Sequence, residues 1–185
     1  IWKIRHDGSD LTQLTDMEPG ASLLAWSPDG TRIAARNSLD ANVQTLIFDP
    51  GRPWAEQEPM VLPLVEDDGP PLVVTSWSPD GSRLVGQAGY PGRGVIIFSF
   101  ESGTYERLTD FGEWPAWLPD SRRLVFVHEG KRFFVVGLDE REPREIFAIQ
   151  RDVIGPPRIS GDGSQLVFSR RVTEADIWLL TSATE

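Results

Sequence analysis

The chain contains no cysteine, only two histidines and no long apolar run. Without cysteine it cannot form a disulfide, a thiolate metal site or a cysteine nucleophile. His6 and His128 stand at the ends of predicted strands and nothing in the sequence brings them together, so no metal site is predicted from them. No stretch approaches the roughly 20 apolar residues of a membrane-spanning helix, so membrane insertion is not expected.

Basic residues are also scarce, since 18 Lys and Arg face 28 Asp and Glu for a formal net charge of −10. Nucleic acid is therefore disfavoured as a partner, because phosphate binding needs a basic surface. The sequence lacks the Gly-x-Ser-x-Gly elbow of hydrolases and the glycine–lysine phosphate loop. Acidic clusters at 7–10, 66–68 and 139–142 lack the ligand spacing of calcium loops, so no metal and no cofactor are predicted.

What the chain does contain is a four-residue turn that recurs four times. Aspartates 29, 80, 120 and 162 mark its copies, at intervals of 40 to 51 positions. Proline, aspartate and glycine in succession favour a tight turn between antiparallel strands. A repeat of this length with strand-like flanks is typical of β-propeller blades. The copies read Ser27-Pro28-Asp29-Gly30, Ser78-Pro79-Asp80-Gly81, Leu118-Pro119-Asp120-Ser121 and Ser160-Gly161-Asp162-Gly163.

Apolar residues flank each turn in a constant pattern. Trp26, Trp77 and Trp117 stand three positions before the first three aspartates, which predicts equivalent buried sites between stacked blades. The sequence therefore predicts an all-β chain with essentially no helix. Third strands are predicted over 43–48, 95–100, 132–138 and 176–180, and a proline-rich insertion at 50–71 leaves room only for an edge strand around 60–65.

The repeat predicts a β-propeller of about four blades, each with four antiparallel strands. It divides the chain into the end of a blade at 1–16, blades at 17–67, 68–110 and 111–149, and a partial blade at 150–185. Both ends supply a third strand, so a closed four-bladed ring leaves one strand over. We favour a segment of a larger ring over that closed ring, and expect its incomplete blades to promote self-association.

The pattern Trp-Ser-Pro-Asp-Gly, followed by arginine, an apolar pair, a strand and Leu-Thr-Asp, resembles the WD-like repeats of TolB-type propellers. Two copies match fully. The third has Leu118 and Ser121 where the family prefers serine and glycine, and the fourth has Ile159 and Gly161 where it prefers tryptophan and proline. The resemblance implies a bacterial protein-interaction domain, periplasmic or extracellular.

Binding residues are predicted on one face of the propeller, where loops lead into the first strand of each blade and join its second strand to its third. Aromatic and arginine side chains are typical interface anchors. The function predicted is non-enzymatic recognition of a protein or peptide. One alternative is the substrate-gating propeller of a prolyl-oligopeptidase-like or dipeptidyl-peptidase-like serine peptidase; a weaker one is a catalytic propeller such as a lactonase or lyase. The candidate residues are Asn37, Tyr90, Arg93, Phe111 and Trp114.

Overall fold

The protein was analysed as a computed structural model, which describes residues 1–17, 20–37, 44–66, 69–89 and 94–172. Within these ranges the chain consists of short strands, turns and one 3₁₀ turn at Trp54–Glu56, without an α-helix. None of the described segments is a helix long and apolar enough to cross a bilayer. The prediction of an all-β chain is confirmed.

Three four-stranded antiparallel sheets form successive blades, and the strands of each sheet lie side by side in chain order. The chain begins with a separate hairpin of β1 (Trp2–Lys3) and β2 (Thr12–Gln13). The first blade contains β3 (Ala21–Trp26), β4 (Ile33–Asn37), β5 (Thr45–Phe48) and β6 (Met60–Val61). The second contains β7 (Leu72–Trp77), β8 (Arg83–Ala88), β9 (Ile96–Ser99) and β10 (Thr104–Arg107). The third contains β11 (Glu113–Trp117), β12 (Arg123–His128), β13 (Arg132–Gly137) and β14 (Arg144–Ala148).

A fourth unit follows the third blade and contributes two short strand pairs. Strand β15 (Val153–Ile154) pairs with β18 (Arg170–Arg171), and β16 (Arg158–Ile159) pairs with β17 (Leu166–Val167). The strand predicted at 176–180 lies outside the described residues. The four-stranded antiparallel blades confirm the predicted propeller architecture, which is here a partial propeller.

The hydrophobic core lies between the blades, because each sheet buries both of its faces. Leu84 and Val85, adjacent on β8, are both fully buried. Leu84 packs with Ile47 and Phe98 between the first and second blades, whereas Val85 packs with Leu124 between the second and third. Adjacent strand residues point to opposite faces, so this alternation follows from strand geometry.

The recurring tryptophans differ in burial, contrary to the prediction of three equivalent sites. Trp77 and Trp117 are 6% and 5% exposed, as predicted, but Trp26 is 52% exposed. Trp77 and Trp117 face the preceding blade, whereas on the corresponding side of the first blade the described residues provide only the short β1–β2 hairpin. Trp26 there lines a cavity of about 730 Å³ together with Trp2 and Ile4.

Each recurring turn is held by its own aspartate. In the first copy Asp29 Oδ1 accepts hydrogen bonds from Ser27 Oγ at 2.6 Å and from the Thr31 amide at 3.0 Å. The Ser27 hydroxyl in turn accepts the Arg32 amide at 2.9 Å. The second and fourth copies repeat these contacts around Asp80 and Asp162. The third lacks the hydroxyl because Leu118 replaces serine, and Asp120 Oδ2 instead accepts a bond from Arg123 Nε at 2.6 Å.

Adjacent turns also contact one another. A Cβ on Gly163 would lie 3.1 Å from the Pro119 ring, and one on Gly81 would lie 3.8 Å from Pro28 Cγ. Between the second and third turns the Asp80 amide donates to Ser121 Oγ at 3.0 Å. In the second, third and fourth copies, the residue at the fourth turn position therefore contacts the turn of the preceding blade.

The proline-rich insertion in the first blade contacts both its own blade and the second blade. The Trp54 ring packs edge-on against Phe48 with centroids 5.6 Å apart, so this indole contacts its own blade. The Tyr105 hydroxyl of the second blade donates to the Pro63 carbonyl at 2.7 Å, and burial raises the pKa of Tyr105 to about 12. Strand β6 is the outer edge of its sheet, as the prolines required.

Replacing Trp77 or Trp117 by alanine should each lower the free energy of unfolding by about 3–5 kcal/mol, because a large cavity opens between blades. Trp26→Ala is the matched control, and its cost should be much smaller because half of that side chain is already in solvent. Urea denaturation of the three variants measures the difference. Equal losses at all three positions would contradict the burial pattern.

The turn aspartates predict a specific acid sensitivity. Hydrogen bonds from Ser27, and then from Thr31, lower the pKa of Asp29 from 3.8 to about 2, and Ser160 and Ser164 do the same for Asp162. A lowered folded-state pKa contributes stability above the unfolded value of 3.8, and that contribution is lost as the pH falls towards 2. Over this window Asp29→Asn and Asp162→Asn should therefore lose less stability than the wild type. The check is urea unfolding at several pH values with Glu101→Gln, an exposed turn residue, as control; parallel curves for all four proteins would contradict it.

Candidate functional site

The candidate residues belong to the end of the blades opposite the recurring turns. There the first strand of each blade (β3, β7, β11) begins and its second strand (β4, β8, β12) ends. We call this end the loop face and the opposite end, formed by the four recurring turns, the turn face. Asn37, Phe111 and Trp114 lie on the loop face, while Tyr90 and Arg93 lie outside the described residues.

The first strand of every complete blade carries a β-bulge near the loop face. The bulges fall between Ser22 and Ala25, between Val74 and Ser76, and between Glu113 and Ala116, and each adds one residue relative to the second strand. In two of them a non-glycine residue adopts a left-handed backbone, with φ of 53° at both Leu23 and Trp114. A bulge re-aims the side chains around it, so these positions depart from strand alternation.

Trp114 is fixed through its backbone. Its amide donates to Gln87 Oε1 of the second blade at 3.0 Å, and Gln87 is 1% exposed. The half-buried indole packs against a cluster that includes Val127 and Ile154, on the side of the fourth unit. The residue therefore joins the second blade through its main chain and the fourth unit through its side chain.

A second contact between the same blades lies beside that bond. Thr75 Oγ1, at the bulge of β7, donates to the Pro115 carbonyl of β11 at 2.5 Å. The hydrogen bonds of Thr75 and Gln87 thus fix the position of β11 relative to β7 and β8 of the second blade. Sequence reasoning missed both residues, because a polar residue in a strand gives no sign that it bonds to a neighbouring blade.

Phe111 anchors an aromatic cluster at the start of the third blade. Its ring centroid lies 4.9 Å from that of His128, 5.2 Å from that of Phe134 and 5.6 Å from that of Phe126. The next residue must be glycine: Gly112 has a φ of 97°, and a Cβ there would lie 2.2 Å from Phe126 Cδ2. The half-buried ring of Phe111 is therefore held rigidly, in a different cluster from Trp114.

Asn37 has a local role as well. Its Oδ1 accepts the Gln44 amide at 2.6 Å, and its own amide donates to the Gln44 carbonyl at 2.9 Å. These two bonds close the ends of the loop between β4 and β5. The carboxamide oxygen of Asn37 thus acts in loop closure.

The structure adds His128 and the charged residues beside it to the site. The His128 side chain is 25% exposed, and its Nε2 lies 3.9 Å from Glu129 Oε1. Glu129 Oε2 accepts a bond from Arg132 at 2.6 Å. From the sequence, His128 was interpreted as an isolated surface residue. However, His128 ends the second strand of its blade as Asn37 does, and this shared position in the repeat could have identified it.

The described part of the loop face thus combines the Phe111 ring, the His128 imidazole that packs against it, and the Glu129–Arg132 ion pair. We call the pair of Phe111 and His128 the aromatic edge. Among the described residues, no three His, Asp or Glu side chains are placed to hold a metal ion together. Aromatic edges and neighbouring charges at a rim suit reversible binding of another molecule.

Comparison with known proteins relates this geometry to two groups of propellers. No protein-family model matches the chain. A WD repeat-containing protein, a WDS homolog from Arabidopsis thaliana, is 24% identical over 195 residues, which cover 96% of this chain and 34% of that protein. The chain thus spans about a third of the curated relative it matches.

Solved structures show the same architecture at low sequence identity. TolB from Acinetobacter baumannii superimposes with a TM-score of 0.75 at 17% identity, covering 94% of this chain and 43% of that one. A structure assigned to TolB of Agrobacterium tumefaciens gives 0.65 at 20% identity, covering 80% and 53%. An oligogalacturonate lyase in complex with manganese gives 0.51 at 20% identity, covering 68% and 36%. The chain has the TolB-type, WD-like β-propeller fold.

Proposed function

We propose that this chain is a non-enzymatic module that binds a protein segment or peptide across its loop face. The observation that carries the proposal is the fixed aromatic edge formed by Phe111 and His128. Gly112 and the packing on Phe126 and Phe134 hold this edge in place before any ligand arrives. A rigid aromatic surface loses little conformational entropy on binding, which favours affinity.

The polar groups around this edge support recognition of a peptide. The Glu129–Arg132 ion pair borders the imidazole, and Trp114 lies half-buried in the next cluster of the same face. Charged rims around aromatic anchors are typical of protein interfaces. Tyr90 and Arg93 stay candidate contacts because they lie in the loop between β8 and β9. The WD-like fold supports the same reading, since propellers of this type serve as interaction domains.

The enzymatic alternatives have no specific observation in their favour. The lyase with manganese shares the fold at 20% identity, and its metal belongs to that protein. A substrate-gating propeller of a serine peptidase would use the same loop face, and a Gly-x-Ser-x-Gly elbow elsewhere in the full protein would support that function. A periplasmic or extracellular location is part of the proposal and rests on the TolB-type resemblance.

Selection of peptides from a displayed random library tests the binding function. Peptides enriched on the wild type should bind it with a dissociation constant measurable by calorimetry. His128→Ala should weaken them about 10-fold or more, the effect expected for an interface anchor. Trp54→Leu, on the outer part of the first blade, is the control and should bind as the wild type does. If no peptide is enriched, or if His128→Ala binds every peptide unchanged, the loop face is not the binding surface.

We also propose self-association of the chain through its exposed apolar residues. Trp2, Ile4 and Trp26 are 60%, 58% and 52% exposed and border one cavity. An exposed patch of this kind favours association in water. Sedimentation velocity should show a concentration-dependent oligomer that Trp2→Ser with Ile4→Ser reduces, whereas Leu11→Ser, an exposed leucine outside the cavity, should not. A monomer at every concentration would contradict the proposal.

A further inference from the structure

The four recurring turns converge on one cleft at the turn face. Its volume is about 420 Å³, within the range of pockets that hold small ligands or short peptide segments. Asp80 of the second turn bonds to Ser121 of the third, and Pro119 packs on Gly163 of the fourth, so neighbouring turns form a continuous wall. The lining consists of three tryptophan–proline pairs (26 and 28, 77 and 79, 117 and 119) and of Ile159, Ser160 and Gly161 of the fourth unit.

We propose that this turn-face cleft binds a short, positively charged, proline-containing segment in the polyproline II conformation. The site is separate from the loop face and does not depend on the function proposed there. Nothing in the described part of the chain covers it.

The first argument is the chemistry of the lining. Trp26 exposes half of its surface, Pro28, Pro79 and Pro119 are exposed beside it, and Trp77 lies below them. Indole and pyrrolidine rings form the aromatic and apolar grooves on which the rings of proline-rich ligands stack. The exposed rings are thus Trp26 and one proline from each blade, whereas Trp77 and Trp117 are 6% and 5% exposed.

The second argument is that backbone N–H groups of the turns are already used in hydrogen bonds or are absent at proline. The prolines have no N–H, the Gly30 amide donates to the Ser27 carbonyl at 3.0 Å, and the Thr31 amide donates to Asp29. The Asp80 amide is likewise used, on Ser121. These turns therefore offer few donors to a ligand that would pair as a β-strand. A polyproline II segment has no such need, because it forms no regular backbone hydrogen bonds.

The third argument is charge. Among the described residues Asp120 forms a salt bridge with Arg123, but Asp29, Asp80 and Asp162 form none. Their hydroxyl and amide bonds lower the pKa of all three, so they stay anionic over the physiological range. The nearest cations are Arg32, whose guanidinium lies over Trp77 at 5.0 Å, and Arg83. The three aspartates directly follow the lining residues Pro28, Pro79 and Gly161. With a chain charge of −10, these carboxylates beside the cleft favour lysine or arginine in the ligand.

Fluorescence anisotropy of a labelled oligoproline flanked by arginines tests the proposal on the full chain. We expect saturable binding with a dissociation constant of about 1 mM or tighter, weakening as salt is added. The same peptide with its prolines replaced by glycine and serine should not saturate, and one with glutamates for arginines should bind more weakly. No saturation with the arginine-flanked oligoproline, equal binding of the glycine–serine peptide, or preference for the glutamate peptide would overturn the proposal.

Variants locate the site. Trp26→Ala should weaken the peptide about 10-fold, and Pro79→Ala should weaken it as well; circular dichroism checks that both are folded. Trp2→Ala removes another half-exposed tryptophan outside the cleft and His128→Ala alters the loop face, so both should bind as the wild type does. Unchanged binding by Trp26→Ala and Pro79→Ala would overturn the proposal. So would sedimentation showing that a second copy of the chain occupies the cleft, as loss of the oligomer in Trp26→Ala without loss in Trp2→Ala would indicate.

Discussion

The burial of the faces of each four-stranded sheet against its neighbours is the constraint on which the rest of this structure depends. A lone blade would expose one layer of apolar side chains on each side, so its stability comes from the blades that flank it. Leu84 and Val85 illustrate this, because they are neighbours in sequence yet belong to cores on opposite sides of β8. The same dependence explains Trp26. Tryptophan is buried at 77 and 117 but half-exposed at 26, where a short hairpin is all that the described part of the chain places against it.

The recurring turn contributes more than a change of chain direction. Its aspartate organises the local backbone. Its proline contacts the turn of the next blade, as Pro28 does at Gly81, and Ser121 bonds to Asp80 in the turn of the preceding blade. Glycine at the fourth turn position therefore serves two needs, a positive φ and room for the neighbouring turn. Serine stands in place of glycine at position 121. There a hydrogen bond to Asp80, instead of close packing, keeps the contact between the turns. The third copy therefore keeps its contact with the preceding turn although its sequence differs from the first two.

The repeat pattern predicted the strands well, but it could not predict the contacts around the candidate site, for physical reasons. Strands β8 and β12 follow from the apolar residues that come directly after a turn, which is local information. The contact of Gln87 with the Trp114 amide joins positions 27 residues apart in different blades, and no local pattern encodes it. The left-handed bulge at Trp114 is equally hidden, because the residue there is not glycine. The pairing of Phe111 with His128 required the strand register that only the fold supplies.

The two ends of the blades differ in a way that follows from their connections. At the turn face five or six residues join each first strand to its second strand, at 27–32, 78–82, 118–122 and 160–165. These connections share the recurring turn, so they can form a repetitive surface. At the loop face the connections vary in length and composition, and the bulges of β3, β7 and β11 redirect side chains from blade to blade. A repetitive surface suits a repetitive ligand such as a polyproline helix, whereas a variable one suits a particular peptide. The same blades can therefore carry two binding surfaces of different selectivity, because the connections at one end are alike and those at the other end differ from blade to blade.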